Sequence, residues 1–242
     1  MRLDQALLAR KMTESRTEAK NYIDRGWVEV NGTVVTKNNK SILETDELAL
    51  KNKRKYVSRG GDKLEGVFSD LYGNKEAIIN HLRNKIALDV GSSTGGFTDC
   101  LLQNEVKEID AVDVGTAQIH ISLLSNSKVA IFENTDIREF ISNKTYDIIV
   151  ADLSFISLHD TLSTLKKFTH ENTKCFLLIK PQFEVGKGNT KKGIVKDENL
   201  IKEVLLKIEN KCASIGAKNI TLFPSHITGG DGNQEYFICF SF

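Results

Sequence analysis

From residue 84 onward, short apolar runs alternate with helical stretches, and that alternation restricts the chain more than any other feature. KIALDVG, EIDAVDV, KVAIFEN, YDIIVADL and KCFLLIK each read as a strand. A helix starts at Phe97 to Gln103, and TAQIHISLLSN, Leu158 to Phe168 and Asp197 to Ser214 read as further helices. Strands that are apolar throughout are covered on both faces, and helical crossovers make their neighbours parallel. The expected fold class is therefore α/β, with a doubly wound, Rossmann-like sheet. NITLFPS and YFICFSF close the chain and are joined only by SHITGGDGNQE, so they are expected as an antiparallel pair at the sheet edge.

The N-terminal stretch follows different rules. RLDQALLARK has helical spacing at Leu3, Ala6 and Leu7. SRTEAKNYIDRG offers Ser15 and Glu18 as a capping box, and its apolar stripe is Ala19, Tyr22 and Ile23. WVEVNGTVV is a hairpin about Asn31-Gly32, and DELAL is a third short strand. Residues 1–50 thus read as a small α+β domain, 51–63 as a basic linker or loop, and 64–242 as the sheet domain. Charge divides along the same line. Residues 1–63 carry 14 Lys/Arg against 9 Asp/Glu, whereas the whole chain is only +1. A basic module on a mildly acidic body suggests a polyanion-binding appendage. Arg2, Arg16, Lys20, Arg25, Lys51, Lys53, Arg54, Lys55 and Arg59 are its candidate contacts, and a solvated charge run is the plain alternative.

The turn LDVGSSTGGFTD joins the first strand of the large sheet to a helix. Gly91, Gly95 and Gly96 permit a sharp turn and close approach by a ligand, and the helix that follows offers free N–H groups. The spacing is not GxGxxG, and no P-loop lysine is present. Asp89, just before the turn, favours a ligand with positive charge over a pyrophosphate. Asp113 ends the next strand at the position of a ribose-binding acid. Asp136 follows the third strand, where it could face an adenine. Asp89, Gly91, Ser92, Ser93, Thr94, Gly95, Gly96, Asp113 and Asp136 together describe a pocket for a nucleoside with a sulfonium, the pattern of S-adenosylmethionine. Loop-capping roles for Asp113 and Asp136 are the alternative.

ADLSF places Asp152, and LLIKP places Lys180, at the ends of two further strands. Ligands of open α/β sheets bind outside these ends, so both residues should project beside the cofactor. A hydroxyl that attacks a sulfonium methyl needs a base or a cation that stabilises developing negative charge. A lysine can be that base where desolvation and a neighbouring cation favour its neutral form. Lys63 and Glu235 are candidates to complete the site.

With SRGGDKL, LDVGSSTGG, ADLSFISL, LLIKPQFE and NQEYF in this order, the chain resembles the TlyA family over its whole length. That family joins an RNA-binding domain of the ribosomal-protein-S-four type to a class I methyltransferase domain of the FtsJ type. The resemblance implies a Lys-Asp-Lys-Glu tetrad at Lys63, Asp152, Lys180 and Glu235, with Lys180 as the base. It implies transfer of a methyl from S-adenosylmethionine to a cytidine 2′-hydroxyl of ribosomal RNA, with Asp152 also beside the cofactor. Short members that end soon after the last strand act on large-subunit RNA alone. The family's turn usually has alanine where this chain has Ser92, a substitution that keeps a small residue.

Other classes find less support. Hydrophobic residues make up 40% of the chain and charged residues 27%, as in a soluble globular protein. No run approaches the roughly 18 apolar residues of a membrane span, and MRLDQALLARK lacks a leader's apolar core. A cytoplasmic monomer without stable membrane insertion is expected, which counts against a direct haemolysin despite the family's other name. A non-catalytic RNA-binding or ribosome-assembly factor is the remaining rival. Cys100, Cys175, Cys212 and Cys239 form no CxxC pair and read as buried free thiols, and with five scattered histidines no metal site is expected.

Overall fold

The structure, a computed structural model, describes residues 1–24, 26–51, 55–186 and 188–242. Two units divide it, Met1–Arg54 and Lys55–Phe242. Arg25, Lys53 and Arg54, three of the candidate polyanion contacts, lie outside the described residues.

The first unit has helices α1 (Leu3–Ala9) and α2 (Arg16–Asp24) and strands β1 (Val28–Val30), β2 (Thr33–Val34) and β3 (Leu48–Leu50). Its antiparallel sheet has the order β2-β1-β3. Leu3, Leu7, Ala19, Ile23, Val28 and Val30 form its core, as the sequence periodicity requires. The Ser15 hydroxyl accepts from Glu18 N, but the Glu18 carboxylate reaches Glu14 N, one residue beyond the expected capping box.

The second unit runs α3 (Arg59–Tyr72), α4 (Lys75–Leu82), β4 (Ile86–Val90), α5 (Gly96–Leu102), β5 (Glu108–Val112), α6 (Ile121–Leu124), β6 (Val129–Phe132), β7 (Tyr146–Ala151), α7 (Leu158–Leu165), a 3₁₀ turn (Lys166–Phe168), β8 (Thr169–Ile179), α8 (Pro181–Glu184), α9 (Glu198–Ser214), β9 (Lys218–Pro224) and β10 (Tyr236–Ser241). The sheet order is β6-β5-β4-β7-β8-β10-β9. The first five of these strands are parallel, and β10 lies antiparallel between β8 and β9. Both faces are covered. Leu88, Ile149 and Leu177 face one core with Leu162, Ile208 and Cys212 from α7 and α9. Ala87, Ile148 and Phe176 face the other with Leu64, Phe68, Ile78 and Leu101 from α3, α4 and α5. Alternate residues of each strand therefore enter opposite cores, which is why the strands read as continuous apolar runs. All four cysteines are buried.

Two local expectations are corrected. Residues 59–63 are not loop but the first turns of α3, with Ser58 as N-cap accepting from Gly60 N. Gly61 lies so close to the Tyr56 ring that an added Cβ would sit 2.3 Å from it, so this glycine serves close packing. α4 carries too weak an apolar stripe to stand out in the sequence. The helix expected over TAQIHISLLSN shrinks to Ile121–Leu124, because the Glu133 carboxylate accepts from Ala117 N and Gln118 N and holds that backbone in a turn.

Candidate active site

The carboxyl ends of the parallel strands open on one side of the sheet, and three adjoining cavities lie there. One, of about 550 Å³, is lined by Gly91, Ser93, Asp113, Gln118, Asp136 and Ile137 among others, a volume suited to a cofactor-sized ligand. A second, of about 130 Å³, is lined by Ser92, Ser93, Thr94, Gly96 and Phe97 with Lys180. The third is an open polar cleft of about 350 Å³ between Ser58, Arg59 and Lys63 on one side and Lys180, Gln182, Phe183, Asp231 and Glu235 on the other. Asp152 and Ser154 line all three.

Topology explains how distant residues meet here. The turn after β4 and the turn after β7 touch, with Asp152 N donating to Val90 O at 3.0 Å. Gly91, at φ +78°, has no room for a side chain, since a Cβ would lie 2.8 Å from Asp152 O. Glu235 directly precedes β10, whose Tyr236 pairs with Ile179 of β8; continuing that register sets Glu235 beside Lys180. Lys63 enters from α3 and is 6% exposed.

The four expected tetrad residues thus line one cleft, as two ion pairs. Lys63 Nζ and Glu235 Oε2 are 2.5 Å apart, with side chains 8% and 3% exposed. Lys180 Nζ is 2.7 Å from Asp152 Oδ1, a contact outside hydrogen-bond alignment. Its aligned partner is Ser154 Oγ, at 2.6 Å. Ser154 had no signal in the sequence beyond lying two residues after a strand-end acid. Phe155, also unforeseen, is 91% exposed at φ +65°, and its ring centroid is 5.1 Å from that of Phe183.

The expected cofactor residues divide. Asp113 accepts from Ser93 N at 2.8 Å and Gly115 N at 2.6 Å, which shapes the turn and leaves carboxylate lone pairs for a diol. The Arg138 side chain bonds the Asp136 carboxylate and holds it below the usual carboxylate range. Gly96 borders the second cavity, yet an added Cβ there would strike Ser58 Oγ at 2.1 Å, so this glycine lets α5 pack on α3. Gly95 packs against Leu123, away from the cavities. Asp89 is fully buried beneath the turn and lines none of the three cavities. Thr98 Oγ1 donates to its Oδ2 at 2.6 Å, and its Oδ1 has no hydrogen-bond partner.

Burial pushes the Asp89 carboxyl up to about 7, against the opposing Thr98 bond. A carboxyl raised in the folded state contributes its stability while protonated. That contribution is lost as pH rises from its unfolded value near 4 through about 7, and is constant above. Asp89→Asn, neutral throughout, is expected to be the more stable protein by about 1–3 kcal/mol at pH 8 and to lose most of that advantage at pH 4.5. Calorimetric melts at the two pH values check this; an advantage of equal size at both would assign the effect to packing.

Among the described residues no helix is long and apolar enough to cross a membrane. A seven-stranded sheet with one antiparallel insertion and a cavity at the glycine turn defines a Rossmann-like methyltransferase. The family model for FtsJ-like methyltransferases matches residues 56–242, and the S4 domain model matches residues 1–48. This chain belongs to the FtsJ-like methyltransferase family, with an S4 domain at its N-terminus. It is 37% identical to "Hemolysin A" of Brachyspira hyodysenteriae over 245 residues, 99% of each chain. It is 40% identical over 203 residues to the "23S rRNA (cytidine-2'-O)-methyltransferase TlyA" of Campylobacter jejuni, covering 83% of this chain and 77% of that one. It is 34% identical over 244 residues to the "16S/23S rRNA (cytidine-2'-O)-methyltransferase TlyA" of Mycobacterium tuberculosis, covering 98% and 88%. A solved structure from Streptococcus thermophilus superposes with TM-score 0.75 at 33% identity, covering 100% of this chain and 88% of that one.

Proposed function

We propose that this protein methylates the ribose 2′-hydroxyl of a cytidine in large-subunit ribosomal RNA, using S-adenosylmethionine. The observation that carries the reading is the position of Lys180. Its ammonium lines both a small cavity at the glycine turn and the open polar cleft, held between Asp152 and Ser154, which also border the cofactor-sized cavity. Large-subunit RNA is preferred because 23S is common to the names of the Campylobacter and Mycobacterium relatives.

S-adenosylmethionine, held by Gly91, Ser93, Asp113 and Asp136, would supply a methyl group made electrophilic by its sulfonium. The fit rests on the volume of the cavity and on the free lone pairs of Asp113. The chain's own residues manage the proton. Asp152 and Ser154 hold two sides of the Lys180 head group, so its remaining direction is open to the cleft. Once the Lys180 ammonium has released a proton to water in the cleft, the amine accepts the hydroxyl proton as the oxygen takes the methyl, and Asp152 stabilises the ammonium so re-formed. The buried Lys63–Glu235 pair fixes the cleft wall. Exposed Phe155 and half-buried Phe183, which line it, offer faces on which an unstacked base can rest.

Two measurements test this. Methyl-labelled S-adenosylmethionine and unmodified large subunits should give label in a 2′-O-methylcytidine after digestion. Cofactor binding without label in any ribosomal RNA would overturn the assignment. Ser154→Ala is expected to lower kcat about 10-fold, with KM for RNA and cofactor affinity within about twofold, because only the aim of the lysine is disturbed. Ser154→Thr, which keeps the hydroxyl at an exposed position, should restore most of the rate. Equal losses in both variants would show that bulk, not the hydroxyl, matters.

A further inference from the structure

The candidate RNA contacts of the sequence are heavily engaged within the fold. Arg2 and Arg16 both pair with Asp4, Lys51 pairs with Glu29, and Lys55 pairs with Glu65. A different set of cations lies in a segment hydrogen-bonded, through Asn233, to the loop that lines the cleft. Residues 185–196, VGKGNTKKGIVK, hold four lysines and no acid. Lys191, Lys192 and Lys196 are exposed. None of the three has a carboxylate partner among the described residues.

Residues 191–196 form a built element, not a solvated run. Lys191 and Ile194 exchange backbone hydrogen bonds at 2.9 and 3.1 Å. Lys192 and Gly193 between them have φ +53° and +79°, the signs of a tight two-residue hairpin turn. The hairpin is latched by Asn233, a polar side chain only 2% exposed. Asn233 Oδ1 accepts from Val195 N at 3.0 Å, and Nδ2 donates to Gly193 O at 2.8 Å. Asn233 O accepts from Gly229 N at 2.8 Å, which ties the latch to the loop whose Gly230, Asp231 and Glu235 line the cleft. The other end of the segment leaves α8, whose Gln182 and Phe183 also line it. A buried amide has thus fixed a lysine-tipped hairpin to the cleft rim.

We infer that the Lys191–Ile194 hairpin, with Lys196, is a phosphate clamp on the catalytic unit that grips the RNA strand flanking the target nucleotide. The inference rests on the proposed RNA substrate and adds a contact surface separate from the S4 domain. Phosphate contacts position the strand without reading sequence, and each one made releases counterions and steepens the salt dependence.

The test compares the wild type with Lys191→Gln/Lys192→Gln/Lys196→Gln. A charge-matched control is Lys202→Gln/Lys207→Gln/Lys218→Gln, which changes exposed lysines of α9 and β9. Binding of unmodified large subunits is measured by filter retention over a salt series, in parallel with methyl transfer. In the hairpin variant, affinity and kcat/KM for the subunit should fall about 10-fold near physiological salt, with kcat and cofactor affinity within about twofold. The slope of log affinity against log salt should become shallower by about 1.5–3, as expected for two or three lost phosphate contacts. The control should stay near the wild type. Equal losses in both variants would assign the effect to net charge, and no loss in either would leave the hairpin without RNA; each result overturns the clamp. If the wild type binds subunits but transfers no label, the functional assignment fails while the binding series still decides the hairpin.

Discussion

Lys180→Ala should abolish methyl transfer, with kcat falling about 10³-fold or more, while cofactor affinity and subunit affinity change less than threefold. General bases contribute about 10²–10⁴ to a rate, and the same head group also balances the charge of Asp152, 2.7 Å away. The fold should survive, because Asp152 retains solvent contact at 23% side-chain exposure. Lys180→Arg separates the two roles. A guanidinium keeps the positive charge and can still pair with Asp152, but it does not give up its proton in a protein. If the lysine is the base, arginine is as inactive as alanine. If it only stabilises developing negative charge, arginine keeps an activity well above that of alanine. Single-turnover rates with saturating subunits distinguish these outcomes, since they exclude product release.

Why so much of this site was readable follows from the sheet. Parallel strands announce themselves as unbroken apolar runs, and their carboxyl ends all face one side. A polar residue at such an end, as Asp152 after YDIIVA or Lys180 after CFLLI, is therefore placed by the fold itself. Glu235 depends on pairing between β8 and β10, which no local pattern states, and its candidacy drew on its place at the start of the last strand. What escaped was set by contacts between segments. Ser154 and Phe155 are ordinary loop residues until the Lys180 head group and the Phe183 ring are set beside them. Gly61 and Gly96 look like turn glycines, yet a Cβ would strike Tyr56 at the first and the start of α3 at the second. Asp89 looks like a ligand-facing acid, yet it lies a layer deeper, where its influence passes through burial. The α3 helix was obscured because its first turn carries Arg59, Asp62 and Lys63 with two glycines, a composition that locally reads as loop.

Breaking the Lys63–Glu235 pair on one side only should destabilise the catalytic unit by about 3–5 kcal/mol, because either remaining charge would be left buried without its partner. For a unit of this size the melting temperature would fall by roughly 6–15 °C. Lys63→Met and Glu235→Gln, made separately, should each show it. Made together they remove both charges, and stability should return to within about 2 kcal/mol of the wild type. Calorimetry is the suitable probe, since the single tryptophan, Trp27, belongs to the other unit. Methyl transfer decides what the pair is for. A purely structural pair would let the double variant regain activity along with its melting temperature. The arrangement argues against that. Lys63 and Glu235 line the same cleft as Lys180, and under the proposed mechanism Lys63 is a second cation in the cleft where the ribose oxygen would lose its proton. The double variant should therefore be stable and still at least about 10²-fold slower than the wild type, since the cleft would have kept its shape and lost its field.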